Sequence, residues 1–264
     1  MNVVRAVAVC SLVLAVSLPA AAGGVTVNHT NWSTSSLPQT TMDKVNQLKV
    51  FFAHASVGGN MVNGLYDLRT NTPSRFKLRT VTEDGTPPAT TASGNVYEYM
   101  RGNPGWASKI SLFETYLAGG WGSGKVDVAI NKFCYVDQTA SFTQYRDSMV
   151  SLEALYPQTR LVYMTIPLLA TEDLANRQRN DFNTQLRQFC LANNKLLLDI
   201  ADLEAWNTSG VQQTFTYGGA TYQKAATEYL SDWSSGGGHL NVAGRDRVSE
   251  GLYSLLATGV VPEP

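Results

Sequence analysis

Charge is sparse in this sequence of 264 residues: only 16% are Asp, Glu, Lys or Arg, and the formal net charge is −1. No basic run of the kind that tracks phosphates occurs, which removes the electrostatic footprint of a nucleic-acid or anionic-membrane binder. Cysteine is scarce too, with 3 in the chain. There is no paired-cysteine motif, no His-Glu-x-x-His and no dense carboxylate loop, so neither a metal nor another cofactor is expected. The histidines number 3, namely His29, His54 and His239. Long apolar runs are also missing, apart from one near the N-terminus.

That run has the layout of a secretory leader. "MNVVR" carries one positive charge, "AVAVCSLVLAVSLPA" is a short apolar core, and "AAAG" offers small residues for cleavage near Ala22. Residues 1–22 are therefore read as a signal peptide, and the protein as secreted, periplasmic or cell-surface. The run is too short and wrongly flanked for a spanning helix, so no stable membrane insertion is expected after its removal. Two cysteines, Cys134 and Cys190, remain in the mature chain. They pair only if their Cα atoms approach closely, and two buried thiols are an equal alternative.

Residues 23–44 are polar and rich in Ser and Thr, and read as an exposed N-terminal arm. From 45 to 258, apolar β-type runs alternate with helical patterns. "LKVFFA", "FKLRTV", "VDVAINKF", "RLVYMTI" and "KLLLDI" are strand candidates. Val57, Met61, Leu65 and Leu68 mark a helix face, as do Phe142, Tyr145, Met149, Leu152 and Leu155. A stretch rich in Gly, Pro, Thr and Ser, residues 83–105, reads as a long loop. Near-continuous apolar strands with helices between them imply a parallel sheet covered on both faces. The expected fold is a single α/β domain, a three-layer α/β/α sandwich with a mostly parallel sheet of about five strands. Residues 259–264 form a tail whose "VPEP" resembles the opening of a PEP-CTERM sorting signal.

Ligands of such sheets bind beyond the carboxyl ends of the strands. The polar residues at those ends are His54 and Ser56, then Asn131 and Lys132, then Thr165, Asp199 and Asp202, with His239 in the glycine-rich loop before the last helix. Ser56 has two readings. Serine is a favoured N-cap for the helix that starts near Val57. Equally, a serine at a strand-to-helix turn is exposed beside backbone N–H groups that can hold an oxyanion. His239 is either a loop histidine bonded to backbone or a base able to deprotonate a serine. Asn131 could donate to an oxyanion or close its strand as a polar turn residue, and Gly105 in "GNPGW" could offer a backbone N–H or merely turn the chain. His54 is read as support for the serine turn or as a core histidine, and Lys132 as an ion-pair partner or a contact for an anionic substrate.

Taken in order, "FFAHASVGGN", "GNPG", "VDVAINK" and "GGGHLN" resemble the SGNH (GDSL-like) hydrolase family, over most of residues 45–258. The stretches "KFCYVD", "TIPL" and "LLLDIADLEA" suggest a divergent exported bacterial branch. The resemblance implies a flavodoxin-like sheet with Ser56 as nucleophile and His239 as base. It also implies an oxyanion hole formed by Ser56, Gly105 and Asn131. Two features depart from the family pattern. His54-Ala55-Ser56 replaces the usual Gly-Asp-Ser, and the acid expected three residues before the histidine is absent, because Gly236 stands there. Asp232 is the nearest replacement and requires the loop to fold back. The implied function is an exported serine esterase that removes acyl groups, such as acetate, from a carbohydrate or another small ester. A catalytically impaired carbohydrate- or surface-binding relative and an acyltransferase using the same residues are the alternatives.

Overall fold

The computed structural model describes residues 24–261. The leader assigned to 1–22 lies outside the described residues, as does the end of the tail after Val261. Among the described residues no helix is long and apolar enough to cross a membrane.

The strand candidates are strands, and two further strands join them. In chain order the sheet uses β1 (Thr26–Val27), β2 (Val50–His54), β3 (Arg79–Thr82), β4 (Asn95–Met100), β5 (Val128–Asn131), β6 (Arg160–Met164) and β7 (Leu196–Leu198). Their spatial order is β1-β7-β6-β5-β2-β4-β3, and every pairing is parallel. The helices are α1 (Gln39–Val45), α2 (Val57–Asn71), α3 (Trp106–Tyr116), α4 (Phe142–Leu155), α5 (Leu174–Ala192), α6 (Ile200–Ala205) and α7 (Val242–Gly259). A separate antiparallel hairpin joins β8 (Thr214–Tyr217) to β9 (Ala220–Gln223).

The alternation of side chains along β2 explains the three layers. Val50 and Phe52 face the core shared with α1, α2 and α7, where Val57, Met61, Leu65, Val248 and Leu252 pack. Phe51 and Ala53 face the opposite core, with Phe113, Trp121, Tyr145 and Phe182 from the elements between β4 and β7. All five residues of β2 are buried, as expected of a central parallel strand. Phe51 stacks on Trp121 at 4.4 Å between ring centroids, and truncating so buried a ring costs about 3–5 kcal/mol.

Three expectations change. The segment 23–44 is not merely an exposed arm: Val27 extends the sheet beside β7, and Met42 and Val45 of α1 are buried against the core. The loop expected over 83–105 contains β4, which lies between β2 and β3. Its Val96 and Tyr97 are buried, while Asn95 and the end at Met100 are more open. The sheet therefore has seven strands rather than about five. Cys134 and Cys190 are free and buried.

The chain leaves β2 toward β3 and β4 on one side and continues with β5 on the other. The reversal leaves a crevice at the carboxyl end of β2, the position where open α/β sheets hold ligands. Ser56 stands at that point.

Candidate active site

Ser56 is at the N-cap position of α2 but does not cap it: its side chain makes no bond to the helix N-terminus. Its backbone is at φ 45°, ψ −104°, a region that L residues rarely occupy and that costs about 1–3 kcal/mol. The strained turn aims the hydroxyl away from α2, at the imidazole of His239, and Oγ hydrogen-bonds Nε2. The capping reading of Ser56 is therefore excluded by geometry. Its own N–H takes no protein partner among the described residues.

His239 reaches the serine because α7 lies close along α2. A side chain at Gly64 would collide with the Arg245 carbonyl oxygen at 2.5 Å, and Ser249 Oγ donates to the Met61 carbonyl at 2.9 Å. The loop entering α7 is thereby set over the start of α2, where Leu240 N–H donates to Asn60 Oδ1 at 3.0 Å. A bridge between Leu230 and Leu240 closes the base of the loop. Between them the chain folds back: a short turn over Trp233–Ser235 ends at Gly236, whose φ of 78° suits glycine.

This fold brings Asp232 beneath His239. Asp232 Oδ2 accepts from His239 Nδ1 at 2.5 Å, and Oδ1 accepts from the His239 N–H at 2.9 Å. Burial opposes ionisation of Asp232, but those bonds and the nearby imidazole hold its carboxyl below the ordinary range. An ionised acceptor at Nδ1 fixes the proton there, so Nε2 presents its lone pair to the Ser56 O–H. Ser56, His239 and Asp232 thus form one hydrogen-bonded chain. The acid missing at Gly236 is supplied seven residues before the histidine rather than three.

Asn131 ends β5, in register with Ala53 of the adjacent β2. It is buried, its side chain makes no hydrogen bond to the protein among the described residues, and its Oδ1 is unpartnered. Gly105 lies past β4, on the other side of β2, at the N-terminal end of α3. Its φ is 94°, no atom lies within 4 Å of the position a Cβ would take, and its N–H has no protein partner among the described residues. No hydrogen bond ties Gly105 to Ser56, Asn131 or His239 in this state.

His54 is not part of the chain. It is fully buried below the serine turn and its Nε2 meets Glu98 Oε2 at 2.9 Å. Burial lowers the His54 pKa, and the hydrogen bond from His54 lowers that of Glu98, so a neutral ring donates Nε2–H to an ionised carboxylate. The ring packs on the first turn of α2: a Cβ at Gly58 would fall 2.3 Å from His54 Cβ. Of its two readings, His54 follows the core one, and it also shapes the turn that carries Ser56.

Lys132 is buried, with Nζ donating to the Phe133 carbonyl at 2.9 Å. It makes no ion pair within salt-bridge distance among the described residues, which corrects the ion-pair reading, and its side chain is closed off from solvent in this state. Burial pulls its pKa below the ordinary range and pushes that of Glu204 above its own. Thr165, Asp199 and Asp202 are structural. Asp199 caps α6 and takes a two-pronged bond from Arg187 at 2.6 and 2.8 Å, Thr165 bonds Asp199, and Asp202 pairs with His29. No group of three or more His, Cys, Asp or Glu able to hold a metal occurs among the described residues.

Tyr135 is a neighbour of His239 that carries no signal in the sequence. It begins a short helical turn four residues after Asn131, and its ring meets that of His239 edge-on at 5.4 Å. Burial holds the phenol above its ordinary pKa. A single tyrosine after a strand has no spacing signature, and only the fold shows what it faces.

No protein-family profile matches the chain, and no curated protein sequence does. Among solved structures it is similar to a GDSL-like lipase from Bacteroides thetaiotaomicron VPI-5482, at 9% identity and TM-score 0.49, covering 80% of this chain and 87% of that one. It is also similar to an acetylxylan esterase from Geobacillus stearothermophilus, at 11% identity and TM-score 0.48, covering 82% and 97%. A third is an alpha/beta hydrolase enzyme from the metagenome of Lake Arreo, Spain, at 14% identity and TM-score 0.48, covering 82% and 97%. Likenesses of this depth concern the arrangement of layers and say nothing of chemistry.

Proposed function

We propose that the protein is an exported serine esterase of the SGNH type, which hydrolyses acyl esters, acetyl esters of carbohydrates or other small molecules among them, through an acyl-enzyme. The observation that carries this reading is the chain Ser56–His239–Asp232 built on a strained turn at the sheet's switch point. His239 Nε2 takes the Ser56 proton as Oγ attacks the ester carbonyl, and Asp232 stabilises the imidazolium that forms. The oxyanion is held by the N–H groups of Ser56 and Gly105 and by the Asn131 amide, each such donor being worth about 3 kcal/mol in the transition state. His239 then protonates the departing oxygen, and water repeats the attack on the acyl-enzyme.

The non-catalytic alternative drew its strength from the acid missing at Gly236, and Asp232 removes that ground. The leader-like residues 1–22 support export. Incubation of the mature protein with p-nitrophenyl acetate, and separately with acetylated xylan, tests the reading against Ser56→Ala. Acetate release by the wild type and not by the variant is expected. Equal turnover by both proteins would refute it, and acetyl transfer to an added sugar in preference to water would make the enzyme a transferase.

A further inference from the structure

We propose that Arg101 and Lys109 are positioning residues for the reaction. Together they fix the span between the two donors that flank Ser56 in the oxyanion hole, the Gly105 N–H and the Asn131 amide. The inference rests on the esterase reading and adds two side chains that reading does not use.

The two donors come from separate parts of the chain. Asn131 closes β5, whereas Gly105 ends the loop between β4 and α3. Residues 102–105 are exposed, and among the described residues the N–H groups of Gly102, Asn103 and Gly105 have no protein partner. Backbone pairing with β2 stops at Arg101, whose N–H donates to the His54 carbonyl at 3.0 Å. The N–H groups of the loop therefore leave the distance from Gly105 to Asn131 open.

Two buried side chains set it instead. The guanidinium of Arg101 spans the gap, with Nη1 donating to the Lys109 carbonyl at 3.2 Å and Nη2 to the Lys132 carbonyl at 2.9 Å. The first carbonyl lies in the opening turns of α3, where the Lys109 N–H donates to the Gly105 carbonyl at 3.0 Å. The second belongs to the residue after Asn131, whose own N–H donates to the Ala53 carbonyl of β2 at 3.1 Å. A planar fork holds both carbonyls at one separation, which a point charge cannot do. Lys109 adds a second tie: Nζ donates to Asn103 Oδ1 at 2.7 Å and pairs with Asp137. The Asp137 carboxylate also accepts from the Cys134 N–H at 2.7 Å, in the turn after β5. Arg101 meets no carboxylate within ion-pair distance among the described residues, and its Nε is unpartnered. Its burial therefore costs stability, and what it supplies is geometry.

An oxyanion hole held at the wrong span still binds substrate but fails in the transition state, where a misplacement of about 1 Å costs about 10²-fold. The test measures kcat and KM on p-nitrophenyl acetate for the wild type, Arg101→Lys, Asn131→Ala and the double variant, with a urea melt of each. Arg101→Lys keeps the charge and loses the fork, and kcat should fall about 10- to 100-fold while KM stays within about threefold. In the Asn131→Ala background the same change should cost less than about threefold, because the span it maintains has already lost one end. Asn103→Ala removes only the exposed partner of Lys109, and it decides the matter where Arg101→Lys does not fold. It should lower kcat about 3- to 10-fold with an unchanged melt, and only when Asn131 is present. Full multiplication of the single losses in the double variants, a loss confined to KM, or no loss at all would overturn the role of Arg101 and Lys109 while leaving the esterase reading intact. A wild type inactive on the ester would instead remove the esterase reading, and this role with it.

Discussion

Gly237→Ala is the sharpest perturbation of the Asp232–His239 link that leaves both residues in place. A Cβ at Gly237 would lie 2.1 Å from the Asp232 carboxyl carbon and 2.1 and 2.4 Å from its oxygens. The backbone there needs no positive φ, so alanine itself is tolerated, and the overlap is relieved only by turning the carboxylate away. Turning it away breaks the 2.5 Å bond to Nδ1 and the 2.9 Å bond to the His239 N–H together. Loss of the orienting acid lowers kcat about 10⁴-fold in a buried serine triad. The Asp232 side chain is 31% exposed, so water partly replaces it, and a fall of about 10²- to 10³-fold is expected here. The two lost hydrogen bonds lie on an exposed loop, and their effect on global stability should be about 1 kcal/mol. Gly236→Ala supplies the contrast: φ is 78° and no atom lies within 4 Å of the Cβ position. That change strains the backbone by about 1–2 kcal/mol but leaves Asp232 where it is, and should retain activity within about tenfold. Initial rates on p-nitrophenyl acetate with a urea melt of each variant measure both quantities. A Gly237→Ala enzyme within about threefold of wild type would refute the assignment of Asp232 as orienting acid.

Other consequences follow from single residues. Ser56→Gly and Ser56→Ala both lose the hydroxyl, but only glycine accepts φ 45° without strain, so Ser56→Gly should be the more stable by about 1–2 kcal/mol in urea denaturation. Asn131→Ala should lower kcat/KM about 10²- to 10³-fold. Because Asn131 makes no side-chain hydrogen bond, its melting curve should shift by less than about 1 kcal/mol. Asp246, raised to about 6 by burial and then by the charge of Asp67, binds its proton more tightly folded than unfolded. Stability from this group is therefore present below the ordinary Asp range and falls as pH rises toward 6. Asp246→Asn should be about 1 kcal/mol more stable than wild type at about pH 8 and indistinguishable from it near pH 4, measured by urea unfolding at both.

The sequence carried the layers and the reacting groups further than it carried the geometry that joins them. The apolar runs at 50–54, 128–131, 160–164 and 196–198 are strands because a parallel sheet buries both faces, and that pattern is legible in composition. Asn95–Met100 was not legible, because a polar start and an exposed end hide a strand that gains its partners only from β2 and β3. The hairpin at Gly218-Gly219 does carry a turn signature, two glycines with positive φ between β-type residues. Ser56 and His239 could be paired by residue type and chain order. Whether Ser56 caps a helix or faces a histidine depends on one backbone torsion, which no residue pattern encodes. Asp232 could be named as a replacement, but its approach depends on a turn at Trp233–Ser235 and on the bareness of Gly237.

Trapping the nucleophile tests the central claim most directly. The mature protein is treated with a fluorophosphonate, digested, and its peptides weighed by mass spectrometry. The account predicts a single phosphonyl adduct on Ser56, formed about 10²- to 10³-fold more slowly in His239→Ala. An adduct on another residue, none at all, or an undiminished rate without His239 would contradict it.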